Sequence, residues 1–249
     1  MTDRHEHWEQ LEDYQSNIVS LNHRKAGEVI RSKLQTNNLK DKAVADIGCG
    51  PGFFLDALTD AKTIYAVDFS SKMLAEAKIR APKHTSFIES NLLSLELNEP
   101  LDLILSLNAY MPENHTQALN MLEKLFSLMN KGGTLLMVVP SMECFLYRCN
   151  LEHFMVAKAG KEEESLVERM TDFVNYFNNP LGYVKDAKAG QVVKYWLADE
   201  MKNILNLFPE VQLVETFKAP VNWTDYSQEA DWQNGFEPPW CWGFVVQRS

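Results

Sequence analysis

Nowhere in the 249 residues is there a run of about 18 apolar side chains, the length a membrane-spanning helix requires. The opening residues, M-T-D-R-H-E-H-W-E-Q, hold no apolar segment of the kind a secretion signal carries. Cysteine is scarce: Cys49, Cys144, Cys149 and Cys241 form no C-x-x-C pair and no disulfide-like framework. Reduced thiols and a cytoplasmic location are the expectation. Cys144, Cys149 and His153 match no common zinc spacing, and cysteines packed in a helix explain them more simply. Positive charge is in deficit, with 24 Lys and Arg against 34 Asp and Glu, a formal net charge of −10. That balance argues against nucleic acid or an anionic membrane surface as partner, and suits a small neutral or cationic substrate. Internal repeats and low-complexity segments are missing as well.

What is present belongs to a globular protein with a real core, 45% hydrophobic and 23% charged. The length allows one enlarged domain or a domain carrying an insertion. Short apolar strands alternate with helical patterns. Strands are expected at 42–47, 63–67, 84–89, 101–107, 134–139, 211–217 and 242–247. Helices are expected over 8–17, 18–34, from Phe53, from about Ser70, over 115–130, 161–178 and 198–208, with Lys131-Gly132-Gly133 closing the helix at 115–130. The alternation implies a doubly wound α/β sheet whose ligand sits at the carboxyl ends of the strands.

The most informative stretch is V-A-D-I-G-C-G-P-G-F-F-L, residues 44–55. A buried strand runs into a turn with Gly48, Gly50 and Gly52 around Cys49, where a backbone can turn sharply and approach a ligand closely. Asp46 precedes the first glycine by two positions. A carboxylate there would repel a pyrophosphate and suits a ligand carrying positive charge. Asp68 ends the second strand, 20 positions after Gly48. An acid so placed can accept two hydrogen bonds from a ribose diol. It could instead cap the following helix, but Ser70 or Ser71 can do that.

The ordered set of Asp46, the three glycines, Asp68 and Met73 in F-S-S-K-M-L resembles the class I S-adenosylmethionine-dependent methyltransferases. The resemblance covers residues 40–140 well and the last 50 loosely. It implies a mostly parallel seven-stranded sheet of Rossmann-like type, the seventh strand running antiparallel between the fifth and sixth. It implies S-adenosyl-L-methionine as cofactor, with Phe69 and Met73 against the adenine. Asn91 stands where the family usually has an aspartate bonding the adenine amino group, with Leu92 as wall and amide donor. Asn108, after the fourth strand, would flank the methionine end. Residues 1–39 would form a helical cap supplying Tyr14 and Arg24, although both could equally pack or solvate a helix. Asn108-Ala109-Tyr110-Met111 is not an N-P-P-Y motif, which weighs against methylation of planar nitrogens in nucleic acid or protein.

Residues 141–196 exceed a simple connection and read as an inserted substrate or lid segment, with a surface or homodimer role as the competing explanation. The resulting expectation is a small-molecule methyltransferase working by direct displacement, where geometry counts for more than covalent help. Tyr110, His115, His153 and Tyr195 are candidate bases, none of which the sequence singles out. A nicotinamide-dependent oxidoreductase is the first alternative, since Asp68 would serve its ribose too. A non-catalytic cofactor-binding sensor is the second.

Overall fold

The computed structural model describes residues 21, 24–158, 160, 181–185, 192–222 and 235–249. In chain order these form α1 (Arg24–Gln35), β1 (Ala43–Ile47), β2 (Thr63–Asp68), α2 (Ser71–Arg80), β3 (Thr85–Glu89), β4 (Leu101–Leu107), α3 (His115–Leu128) and β5 (Met129–Pro140). There follow α4 (Met142–Lys158), β6 (Tyr183–Lys185), β7 (Val192–Lys194), α5 (Ala198–Leu205), β8 (Val211–Pro220) and β9 (Trp240–Arg248).

Seven strands make one sheet in the order β3-β2-β1-β4-β5-β9-β8. Strands β3, β2, β1, β4 and β5 pair in parallel, while β9 runs antiparallel between β5 and β8. This is the expected topology. All five residues of β1 are buried, as a central strand covered on both faces must be. Its side chains alternate: Ala45 and Ile47 join Leu122, Phe126 and Met201 under α3 and α5, whereas Val44 joins Ile30, Leu34, Leu55 and Leu74 under α1 and α2. Two packed layers thus hold the β1 loop from opposite sides.

Three expectations need correction. The helix foreseen from Phe53 is a single 3-10 turn, Leu55–Leu58. The preceding residues are spent in turns, and Gly52 sits at a positive φ of 78°, which no helix interior accepts. Helix α3 stops at Leu128, not at Asn130. Met129 is pulled into the sheet opposite Leu101, and Asn130–Gly133 bulge out before Thr134 pairs with Leu103, so Gly132 and Gly133 shape a bulge and not a helix cap. Residues 142–158 are helical, in line with the packing of Cys144 and Cys149 in a helix, whereas β6 and β7 form a separate two-stranded ribbon that was not expected. Helix α1, by contrast, matches the later part of the helix expected over 18–34, with Ala26, Ile30 and Leu34 of its apolar face buried. The helices expected at 8–17 and 161–178 lie outside the described residues, as do Trp223, Tyr226 and Trp232.

Candidate cofactor cleft

At the carboxyl ends of β1, β2 and β4 a cleft opens, lined by Gly48, Gly50, Asp68, Phe69, Met73, Ser90, Asn91, Leu92, Asn108 and Ala109. Eight of the thirteen residues predicted to bind a ligand are therefore brought to one cavity wall. Ile47, Leu93, Ser106, Leu107, Met111, Gln117 and Met121 complete the lining. Gln117 and Met121 were missed because α3 reads as an ordinary amphipathic core helix. The only trace of their role is their spacing of four near its start, which puts both on one face.

Asp68 is 7% exposed. One carboxylate oxygen accepts the Gly50 N–H at 2.8 Å and the other the Ser70 N–H at 2.9 Å. A carboxylate offers about four acceptor sites in all, a chemistry suited to hydroxyl donors as well as to backbone amides. The helix-cap alternative for Asp68 falls away: the Ser70 hydroxyl caps α2 by accepting the Met73 N–H at 3.2 Å. Met73 is buried, and Phe69 stands half-buried beside it, two apolar groups on the same wall.

Asp46 differs from expectation in position. It is 2% exposed and lies beneath the loop, outside the cleft lining, on the Val44 side of β1. Burial, then the charge of Asp68, raises its carboxyl pKa to about 7. Two acids at one loop make a potential complementary to a cation. Cys49 is also buried outside the lining, and burial first, then the charges of Asp46 and Asp68, raise its thiol well above the usual range.

The glycines answer to the protein's own packing as much as to a ligand. A Cβ on Gly48 would lie 2.2 Å from the Ala109 Cβ, at a φ of +75°. Gly52, likewise outside the lining, abuts Leu55 and Ala77 of α2. Asn91 uses its side-chain oxygen to accept the Leu93 N–H at 3.0 Å, closing the turn at Leu92–Ser94; this local duty was not foreseen. Asn108 adopts a left-handed φ of 55°, and its side-chain oxygen is buried with no hydrogen-bond partner. Strain and an unpaired acceptor on one cleft residue mark a place where a bound donor fits.

Of the candidate bases, Tyr110, His115 and Tyr195 do not line the cleft. The Tyr110 hydroxyl donates to the Ala118 carbonyl at 2.9 Å, its ring stacks on Trp196, and burial pushes its pKa up. His115 meets the edge of Tyr183, and Tyr195 packs against Phe145. The His153 side chain and Tyr14 lie outside the described residues, and so does the Arg24 side chain, although its backbone opens α1. Cys144 and Cys149 sit in α4 as free thiols. Among the described residues, no group of three His, Cys, Asp or Glu could hold a metal, and no helix is long and apolar enough to cross a membrane.

Residues 44–133 match the family model described as a methyltransferase domain. The chain is 33% identical over 143 residues to an uncharacterised protein of Methanocaldococcus jannaschii, covering 55% of this chain and 60% of that one. It is 33% identical over 105 residues to trans-aconitate 2-methyltransferase of Escherichia coli, covering 40% and 39%. The chain thus spans well under two thirds of either relative. An N-methyltransferase of Bradyrhizobium japonicum, solved with S-adenosyl-L-homocysteine, superposes with a TM-score of 0.60 at 15% identity, covering 98% of both chains.

Proposed function

We propose that this chain, whose residues 44–133 form a methyltransferase domain within the class I S-adenosylmethionine-dependent fold, binds S-adenosyl-L-methionine in the cleft and passes its methyl to a small molecule. The observation that carries the reading is Asp68 at the tip of β2, with both oxygens oriented by backbone amides toward a cavity walled by Phe69 and Met73. A ribose diol satisfies that acid, and a flat base fills the apolar wall. The unpaired Asn108 oxygen then accepts from the ammonium or another donor at the far end. Bound there, the cofactor supplies a methyl on a positively charged sulfur, for which the paired acids Asp46 and Asp68 provide a favourable field.

The residues of the cleft bind, orient and exclude water; among the described residues lining it there is no histidine or tyrosine to take a proton from an acceptor. Rate enhancement accordingly comes from holding two reactants in attack geometry. The net charge of −10 supports a small neutral or cationic acceptor over a polyanionic one. The family model covers residues 44–133, which include the glycine loop, Asp68 and Met73.

Incubation with methyl-labelled cofactor and a panel of metabolites tests the activity. Label transferred to a small acceptor supports the reading. Cofactor binding without transfer on a broad panel shifts it to a sensor, and preferential binding of NAD shifts it to an oxidoreductase.

A further inference from the structure

The glycine loop is followed by a segment that lacks the regular helix its sequence predicts. Backbone turns use some of its carbonyls: Cys49 accepts from Gly52 N–H, Gly52 from Leu55 N–H and Phe54 from Ala57 N–H. The carbonyls between them, Pro51 and Phe53, are reached by two arginines from opposite helices. Arg80, ending α2, donates to the Pro51 carbonyl at 3.1 Å with its guanidinium 5.1 Å from the Phe53 ring centre. Arg31 of α1 donates to the Phe53 carbonyl at 2.8 Å through one nitrogen, and its other terminal nitrogen meets both Asp56 oxygens at 3.0 Å. Its guanidinium also lies 5.3 Å from the Phe54 ring centre.

An exposed ion pair such as Arg31–Asp56, at 33% and 59% side-chain exposure, stabilises a fold little. What the arrangement does is fix the path of a glycine-rich segment that otherwise has many conformations to lose. Pro51 adjoins Gly50, whose N–H is the one held by Asp68 on the cleft wall.

We propose that Arg31 and Arg80 are positioning residues, a two-sided clamp that presets the glycine loop for the cofactor. This rests on the reading that the cleft binds S-adenosyl-L-methionine. The two arms differ in kind. Arg80 reaches the loop through a single donor, which a lysine can replace; Arg31 needs its fork to hold Phe53 and Asp56 together.

The test is calorimetry of S-adenosyl-L-methionine on the whole protein, wild type against Arg31→Lys, Arg80→Lys and Arg80→Gln. Lys33→Gln serves as control, since it breaks an ion pair from the same helix to Glu215, away from the loop. Arg31→Lys and Arg80→Gln should each weaken binding about tenfold, while Arg80→Lys and Lys33→Gln stay within about twofold of wild type. Amide exchange across residues 50–58 without cofactor should accelerate in the same two weakened variants only. Unchanged affinity in Arg31→Lys, or a loss matched by Lys33→Gln, overturns the clamp. A wild type that does not bind the cofactor overturns the underlying reading instead, and the exchange comparison then reports on the clamp alone: no acceleration in the two variants refutes it.

Discussion

Asp68 accepts the Gly50 amide at 2.8 Å, so the end of β2 and the loop after β1 are joined through the acid that faces the cleft. The carboxylate proposed to recognise a hydroxyl pair also holds the loop beside it. Asp68→Asn keeps the shape, but it loses the charge and presents a donor to one of two backbone donors. Affinity for S-adenosyl-L-methionine should fall by about 1–3 kcal/mol, measured by calorimetry. An equal loss for a cofactor fragment without a ribose would show that only the loop had been disturbed.

Asp46 predicts an unusual pH dependence. Its pKa of about 7 in the fold stands above the ordinary aspartate value of 3.8, so the folded state holds a proton that the unfolded state releases in between. Stability from this group is therefore lost as pH rises from about 4 to about 7, at up to about 1.4 kcal/mol per unit. Asp46→Asn removes the penalty. Urea unfolding should show the variant gaining on wild type between pH 5 and pH 8, with cofactor affinity reduced at pH 8. A stability difference independent of pH would contradict the assignment.

Gly48 and Gly132 share nearly the same φ, +75° and +77°, but only Gly48 faces a close neighbour, the Ala109 methyl. Gly132→Ala should cost about 1 kcal/mol for the left-handed backbone alone. Gly48→Ala adds a collision with the strained end of β4 and should cost at least about 2 kcal/mol more. Thermal unfolding of the two variants side by side reads the difference.

Lys194 is buried, with its side chain 1% exposed, and it donates to Leu181 carbonyl at 2.7 Å and to Glu200 at 2.8 and 3.0 Å. It thereby pins the β6–β7 ribbon to α5. Lys194→Ala should destabilise by about 3 kcal/mol, because Glu200 is left half-buried without its partner. The double change Lys194→Met with Glu200→Gln should lose less than the sum of the single changes in urea unfolding.

Much of this was legible in the sequence. The glycine turn, the acid 20 positions on and the serine cap each depend on local backbone chemistry, which spacing reveals. What was not legible depends on distant partners. Asp46 turned out to sit beneath the cleft because strand alternation sends it to the Val44 side. Gly132 and Gly133 imitate a helix cap, yet pairing of Met129 with Leu101 decides their fate. Gln117 and Met121 reach the cleft only because α3 crosses its edge, a tertiary fact no periodicity states.

The central claim is that the cleft takes an adenosyl group joined to a cationic end. Calorimetry of the wild type with S-adenosyl-L-methionine, S-adenosyl-L-homocysteine and NAD addresses it most directly. The account predicts binding of both sulfur compounds and little or none of NAD, with Asp68→Ala weakening the first two by about 1–3 kcal/mol. Tight NAD binding with no response to either sulfur compound would contradict it.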